Sequence, residues 1–331
     1  MRYDFMAIGD IVTEPFIFLK DARVTCDIND EACTISMRWG DKIPYDRAVV
    51  CRAVGNSPNA AVAAARLGLK TAIATDIGND AIGKGDIEQL KKEGISTKHV
   101  RTHKGMVSNY HYVLSYESER TILVKHEEYP YRWPAPSPAP RFVYLSSLGS
   151  NSLPYHKEIE AWLMKNPDVF LTLQPGTFQI KLGESELSGL YKRANLLVVN
   201  KEEAERILGL PEGGQDIKVL LTKMHEFGPK SVIITDGRKG AYAYDSEKMW
   251  LVPMYPDDRQ PFERTGAGDA FASTVTAALA LGKPWEEALL WGPINSMAVV
   301  QEIGAQAGLL TRASLEKHRA AAPASYALSP L

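Results

Sequence analysis

The chain has 331 residues, a formal net charge of −2 and 45% hydrophobic residues, enough for a large α/β domain with or without an appendage. Its 38 basic and 40 acidic side chains are interspersed, which excludes a basic nucleic-acid footprint or an acidic tail, and no apolar run reaches membrane-spanning length. Met1-Arg2-Tyr3-Asp4 lacks the apolar start of a signal peptide, and Cys26, Cys33 and Cys51 have no metal-ligand spacing and cannot all pair, which suits a reducing cytoplasm.

Tyr3 to Ile8 reads as a first strand that meets a loop at Gly9-Asp10. From Thr13 to Tyr45 no helix period appears. Phe16–Leu19 and Cys33–Trp39 read as strands separated by polar turns such as Asp27-Ile28-Asn29-Asp30. The Ala-rich segment Asn59–Leu67 is a helix ended by Gly68, Thr71–Thr75 is a strand, and Asp80–Glu93 is a helix ended by Gly94. A second strand pair, Val107–Tyr116 and Thr121–Val124, is joined by the turn Glu117-Ser118-Glu119-Arg120. The two β excursions together predict one small projecting sheet, a lid.

Five prolines within residues 130–140 make a stiff connector. Beyond it, strands at Phe142–Leu148, Val169–Leu173, Leu196–Val199 and Ser231–Thr235 alternate with helices near 154–165, 201–208 and 215–227. That order predicts a mainly parallel sheet covered on both faces. Ala241–Tyr244 and Met249–Val252 form a late antiparallel pair, and helices near 267–281, 285–302 and 312–319 follow. The Ala/Pro/Ser-rich tail, 320–331, reads as loosely held.

Arg264-Thr265-Gly266-Ala267-Gly268-Asp269 opens one of these helices. Free N–H groups at a helix start, glycines that allow close approach, and Asp269 one turn in make an anion cradle beside a base. A Gly-rich turn with an acid in the first helical turn is the plain alternative. Asn200-Lys201-Glu202-Glu203 lies at a strand end, where ligands bind in parallel sheets, and places an amide and a carboxylate for phosphate or magnesium waters. It also reads as a capping box. Thr235-Asp236-Gly237-Arg238-Lys239-Gly240 follows another strand and suits nucleotide phosphates and ribose, or a hairpin turn. Asp10, Glu14, Gly55 and Asn59 gather polyol-binding chemistry near the first strand. Gly78–Gly85 nearly fits a P-loop but ends in Gly85, with no hydroxyl for magnesium, and is set aside.

The segments Gly55-Asn56-Ser57-Pro58-Asn59-Ala60 through Ala65-Arg66-Leu67-Gly68, and Thr265 through Phe271, resemble the two signatures of the PfkB, or ribokinase, family of carbohydrate kinases. Asn200 and Glu203 stand where the family's Asn-x-x-Glu motif belongs, and Gly304-Ala305 with Gly308-Leu309 matches the family's closing segment. The resemblance implies a ribokinase-like three-layer αβα fold. Its core would be 1–12, 46–104 and 126–331, with a β lid at 13–45 and 105–125 that covers the sugar and pairs two chains as a homodimer. It implies ATP-dependent γ-phosphoryl transfer to a hydroxyl of a small carbohydrate in the cytoplasm, with no nucleic-acid or membrane partner.

By position, the resemblance makes Asp269 the base, and Gly266, Ala267 and Gly268 the anion hole. Asn200 and Glu203 would organise Mg2+ and phosphate, and Thr235, Gly237, Gly240 and Asn295 would border the nucleotide. Asp10, Glu14, Gly55 and Asn59 would bind the acceptor. Val54-Gly55 stands where two glycines are usual, Glu14 where an Asp is usual, and Arg264 where a small or hydroxyl residue is usual. Glu263 replaces an Asp that in relatives helps bind a monovalent cation, which puts K+ among the expected ions. Gln174-Pro175-Gly176 has no counterpart in this pattern. A nucleoside kinase is the alternative, with Trp39, Tyr110, Tyr112 and Tyr116 available to stack a base. A phosphorylated sugar would draw on Arg38, Lys42, Arg47, Arg101 and Lys104. A non-catalytic sugar or nucleotide sensor on the same fold is the rival from another class.

Overall fold

The computed structural model describes residues 2–26, 33–116, 119–257 and 259–331. The turn at Asp27–Asp30, and Glu117 and Ser118 of the second turn, lie outside them. In chain order the strands are β1 (Phe5–Ile8), β2 (Val12–Leu19), β3 (Arg23–Thr25), β4 (Thr34–Ser36) and β5 (Tyr45–Val54), followed by helix α1 (Asn56–Arg66). Then come β6 (Thr71–Gly78), α2 (Ala81–Lys92), β7 (Ser96–His103), β8 (Tyr112–Tyr116), β9 (Glu119–Leu123) and β10 (Phe142–Leu145). The second half holds α3 (Leu153–Lys165), β11 (Phe170–Leu173), α4 (Thr177–Leu182), α5 (Glu184–Arg193), β12 (Leu196–Asn200), α6 (Lys201–Ile207) and α7 (Ile217–Glu226). It ends with β13 (Ser231–Thr235), β14 (Ala241–Tyr244), β15 (Met249–Val252), α8 (Ala267–Ala280), α9 (Trp285–Val299), α10 (Arg312–Ala321) and β16 (Ser329–Pro330).

Ten strands form the central sheet in the order β16-β15-β14-β13-β12-β11-β10-β1-β6-β7. The pairs from β13 through β7 are parallel, and β14, β15 and β16 add antiparallel partners at one edge. Alternate side chains of the continuous apolar strands feed two different cores, as a sheet covered on both faces requires. Phe5, Ala7, Ile73, Leu196 and Ile233 pack on the side of α1, α8 and α9. Met6, Ile8, Val143, Leu197 and Val232 pack on the side of α3, α5 and α7. Small residues dominate the touching faces of α1 (Ala60, Ala61, Ala63, Ala64) and α8 (Ala270, Ala272, Ala277, Ala278), all essentially inaccessible. Their size lets the two helices approach closely, and that approach places Asn59 of α1 against Asp269 of α8.

A separate four-stranded sheet, ordered β5-β2-β8-β9, stands off this core as the lid. The antiparallel ribbon β3–β4 extends it, and Cys26 and Cys33 at the ribbon's end are joined by a disulfide, leaving Cys51 as the free thiol. Two of the three cysteines therefore pair, which the sequence reading did not anticipate.

Two buried side chains fasten the feet of the lid strands. Asp86 of α2 accepts on a single oxygen from Thr13 Oγ1 (2.6 Å) on β2 and from the Ala53 N–H (2.9 Å) on β5. Ala53 sits in the left-handed region (φ 54) at a register shift where Arg52 and Ala53 of β5 oppose the single residue Thr13 of β2, so the carboxylate braces an irregular corner. Asn109 donates to Ile11 O (3.1 Å) and accepts from the Glu127 N–H (2.8 Å), tying the feet of β2, β8 and β9.

Several expectations need correction. Residues 45–54 pair with β2 in the lid sheet, so the lid takes a long strand that the sequence reading gave to the core from 46 onward. Its outer half is solvent-exposed, and its alternation of apolar and charged side chains carries little burial signal. The strand expected over 33–39 is confined to Thr34–Ser36, and Trp39 is fully exposed. β7, α4 and α5 had no counterpart in the sequence reading; β7 is rich in Lys, His and Arg, whose stems cover the sheet edge. The tail is anchored: Tyr326 is buried, its hydroxyl donates to Leu290 O at 2.6 Å, and β16 extends the central sheet. Gly78–Gly85 is no phosphate loop, because Asp80 caps α2 by accepting from the Gly83 N–H and puts negative charge at that helix start. Among the described residues no helix is long and apolar enough to cross a membrane.

Candidate active site

Helix α8 begins at Gly266, which adopts the left-handed conformation (φ 79) with no side chain capping the helix. A Cβ on Gly266 would lie 2.3 Å from Ala305 Cβ, so only glycine fits between the turn and the 304–305 loop. At Gly268 a Cβ would meet nothing within 4 Å, so the face beside the uncapped N–H groups is open. The Thr265 hydroxyl next to it is buried without a hydrogen-bond partner. An uncapped helix start, an open glycine and an orphaned hydroxyl together fit an anion.

Asp269 stands in the first turn of α8, where its carboxylate would ordinarily curl back to cap its own helix. It is instead held outward by three amides. Asn56 Nδ2 lies 2.7 Å from Oδ1, Asn59 Nδ2 2.9 Å from Oδ2 and Gln174 Nε2 3.2 Å from Oδ1. Burial raises the Asp269 pKa, and Glu14 adds to the rise, while the three amides hold it down. Gln174 is itself fixed by a hydrogen bond from the Tyr144 hydroxyl, and Asn59 by Gln306 Nε2 at 2.9 Å. The result is an ionisable oxygen pair fixed by neutral donors beside an anion-binding helix end.

A cavity of about 540 Å3 opens from this helix end, bounded by Thr235, Gly237, Gly240, Ala267 and Gly268. Arg238, Arg259 and Arg264 add positive charge to its walls, and Met254, Tyr255 and Met297 supply apolar surface. Thr235 and Asn200 are register partners at the ends of β13 and β12, so the strand ends that the sequence singled out are brought side by side.

Asn200 and Glu203 form the capping box: Asn200 Oδ1 accepts from the Glu203 N–H (2.7 Å), and Glu203 Oε2 accepts from the Asn200 N–H (2.9 Å). Burial raises the Glu203 pKa, and Asp269 adds to that rise, which places both carboxylates in one field. Glu203 Oε1 and Asn200 Nδ2 remain outside the box. Among the described residues no group of three or more His, Cys, Asp or Glu could hold a metal ion. This donor set therefore fits a magnesium ion held chiefly by phosphate and water, and not a dedicated protein cage.

The expected role of Asn295 does not match the geometry, and Glu263 has a structural role of its own. Asn295 is fully buried and spends its amide on Thr274 Oγ1 (2.8 Å) and the Leu310 N–H (2.9 Å), locking α9 to its neighbours; the adjacent Ser296 and Met297 line the cavity in its place. Glu263 accepts from the Thr265 N–H (2.8 Å) on one oxygen and the Gly304 N–H (3.1 Å) on the other, with Arg120 Nε 3.7 Å away. It shapes the turn before the helix, and Arg120 of β9 ties the lid to it.

On the acceptor side, Asp10 is buried at the end of β1 and accepts from the Tyr131 hydroxyl at 2.9 Å. His126 Nδ1 lies 3.4 Å from Asp10 Oδ2, and His111 Nδ1 lies 3.2 Å from Glu14 Oε1. Burial raises the Asp10 pKa against the lowering pull of His126 and Tyr131. Gly55 caps α1 with its backbone turned against Asp10 O. Sequence reasoning missed Gln174, His111, His126 and Tyr131 as site residues. Gln174 directly follows β11, and the strand-end argument applied to Asn200 would have found it. The histidines and Tyr131 come from loops around the lid with no local motif. The basic residues considered for a phosphorylated sugar are dispersed: Arg38 pairs with Asp41, Arg47 with Asp46 and Arg101 with Asp76, away from Asp269.

Residues 24–312 match the pfkB family carbohydrate kinase profile. The chain is 28% identical over 266 residues to a ribokinase of Haemophilus influenzae, covering 78% of this chain and 84% of that one. It is 26% identical over 316 residues to an ATP-dependent 6-phosphofructokinase of Thermoanaerobacterium thermosaccharolyticum, covering 92% and 90%. The structure of Arabidopsis thaliana ribokinase complexed with ribose and ATP superposes with a TM-score of 0.76 at 20% identity, over 96% of this chain and 99% of that one.

Proposed function

The chain belongs to the pfkB family of carbohydrate kinases, and on that premise we propose that it transfers the γ-phosphoryl group of ATP to a hydroxyl of a small sugar with Asp269 as general base. The observation that carries this reading is the Asp269 carboxylate, fixed by Asn56, Asn59 and Gln174 at the uncapped start of α8, where the cavity opens. In the proposed step the acceptor oxygen forms a bond to the γ-phosphorus while the bond from that phosphorus to the β–γ bridging oxygen breaks. ADP carries away the electron pair, and the hydroxyl proton passes to Asp269. Charge on the transferring group is stabilised by the N–H groups of Gly266, Ala267 and Gly268, which are aimed before the reaction begins.

ATP would occupy the cavity of Thr235, Gly237 and Gly240, with the Arg264 and Arg238 guanidinium groups near its phosphates. Magnesium, when bound with the nucleotide, neutralises phosphate charge; Glu203 and Asn200 would hold its waters. The lid excludes bulk water, which otherwise competes with the sugar hydroxyl for the phosphoryl group. Acceptor-dependent ADP release by the wild type, lost in Asp269→Asn with ATP binding retained, tests the assignment. The homodimer expected through the lid would cover exposed Tyr112, Leu123 and Val124, and light scattering of wild type against Leu123→Glu tests it.

A further inference from the structure

The acceptor side contains two imidazole–carboxylate pairs that no part of the transfer step uses. His111, preceding β8, meets Glu14 of β2 at 3.2 Å, and His126, beyond β9, meets Asp10, just past β1, at 3.4 Å. The two rings touch edge to face with centroids 5.0 Å apart, and Phe178 closes the row at 5.7 Å from His126. Two segments about a hundred residues apart, one around β1 and β2 and one around β8 and β9, are thus brought to one wall. His111 is 7% exposed and its Nε2 is buried without a partner, while the buried His126 Nδ1 faces only Asp10 Oδ2, at 3.4 Å. Buried polar atoms are nearly always satisfied, and the one left over on His111 points to a ligand that satisfies it.

The charge of this wall limits the ligand's class. Among the described residues no lysine or arginine forms an ion pair or hydrogen bond with Asp10, Glu14 or Asp269. Arg120, the guanidinium that reaches this region from the lid, lies 3.7 Å from Glu263, whose carboxylate offsets its charge, and its buried Nε makes no hydrogen bond. An imidazole beside a carboxylate offers a donor and an acceptor side by side, the complement of a hydroxyl. Two such pairs match two neighbouring hydroxyls, whereas an added phosphate or carboxylate would face three carboxylates with no fixed cation.

We propose that the acceptor is a neutral polyol read by the pairs His111–Glu14 and His126–Asp10, and that the pocket discriminates against phosphorylated or carboxylated sugars. This deepens the kinase reading and rests on it for the identity of the site. The shared chemistry is a neutral vicinal diol, carried by a free sugar or by the ribose of a nucleoside.

The test is a coupled ADP assay of free pentoses and hexoses, nucleosides, sugar phosphates and sugar acids, run beside thermal-shift binding of the same panel to Asp269→Asn. Neutral polyols should exceed their phosphorylated or carboxylated counterparts in kcat/KM by on the order of 10²-fold, since like-charge juxtaposition is strongly penalised. The free-sugar and nucleoside arms decide which source supplies the diol. His111→Ala and His126→Ala should raise the acceptor KM about tenfold or more with the ATP KM unchanged, and His111→Gln, which restores a donor, should recover part of the loss. A preference for the anionic sugars, or histidine variants with an unaltered acceptor KM, would overturn the proposal while leaving the kinase reading intact. Polyol binding without ADP release from the wild type would sink the kinase reading and leave the polyol wall standing. No stabilisation by any neutral polyol would overturn the proposal directly.

Discussion

Asn59 Nδ2 lies 2.9 Å from Asp269 Oδ2 across the seam between α1 and α8, so residues 210 positions apart share one carboxylate. The proposed base is oriented by a helix other than its own. Losing the carboxylate itself should be the most severe single change: Asp269→Asn is expected to lower kcat by about 10²–10⁴ with little change in ATP KM. A steady-state assay with retained thermal stability as the folding control decides it, and near wild-type turnover would dismiss Asp269 as the base.

Gln174 tests how the carboxylate is tuned. Its amide holds down a pKa that burial raises. In Gln174→Leu that restraint is gone, so the Asp269 pKa should climb further. Because the base works ionised, the acid limb of the kcat/KM profile should move to higher pH in the variant. An acid limb in the same place would mean that Gln174 serves packing alone.

Gly266→Ala should fail for two separable reasons. The residue has φ 79, and a Cβ would sit 2.3 Å from Ala305 Cβ. A destabilisation of about 1–3 kcal/mol is expected from strain and overpacking. Ala305→Gly in the same chain removes the facing Cβ but leaves Ala305 Cα 2.6 Å away, so denaturant melts of the double variant should show only partial recovery.

Asp86 is expected to matter through the lid feet. Asp86→Ala strands the Ala53 N–H and the Thr13 hydroxyl, at about 1–3 kcal/mol for each buried group left unsatisfied, and should raise the acceptor KM by loosening Glu14. Asp86→Asn keeps an accepting oxygen, and burial already raises the Asp86 pKa, so the neutral variant should stay close to wild type. Equal damage from both variants would assign the effect to charge.

His156 gives a pH dependence of stability unconnected with catalysis. It is fully buried, and its pKa is pushed down to about 4 by burial, from an unfolded value near 6.5. The unfolded chain therefore binds a proton that the folded chain refuses, and stability falls as pH drops from 6.5 toward 4. At 1.36 kcal/mol per pKa unit the loss approaches about 3 kcal/mol. Urea melts of wild type and His156→Gln across that range should diverge at the acid end; parallel curves would contradict the assignment.

Much of the fold was legible in the sequence because the central strands are continuous apolar runs and the helices α1 and α8 carry strong signals of small residues and glycine. The uncapped glycine turn that opens α8 and the place of Asp269 in its first turn were legible for the same reason, as they lie in one local segment. His111 and His126 were not, since each gains its meaning only where separate loops converge, whereas Gln174 follows β11 directly and the strand-end argument was not carried to it. The tail misled because its alanines and prolines resemble a loose end, while one aromatic side chain, Tyr326, supplies the burial that pins it. Asn295 misled in the opposite direction: a polar residue in the right neighbourhood proved to be a brace between helices.

The fastening of all four lid strands at Asp86 and Asn109 separates the reacting centre from the far end of the lid. The ribbon of Arg23–Thr25 and Thr34–Ser36 lies beyond those two anchors, so a fluorophore or affinity handle placed on it is expected to disturb Asp269 less than a change at Arg120, which reaches Glu263 directly. That ribbon is therefore the place to attach a reporter of the lid sheet, with the kcat of the labelled chain as the check that the site is undisturbed.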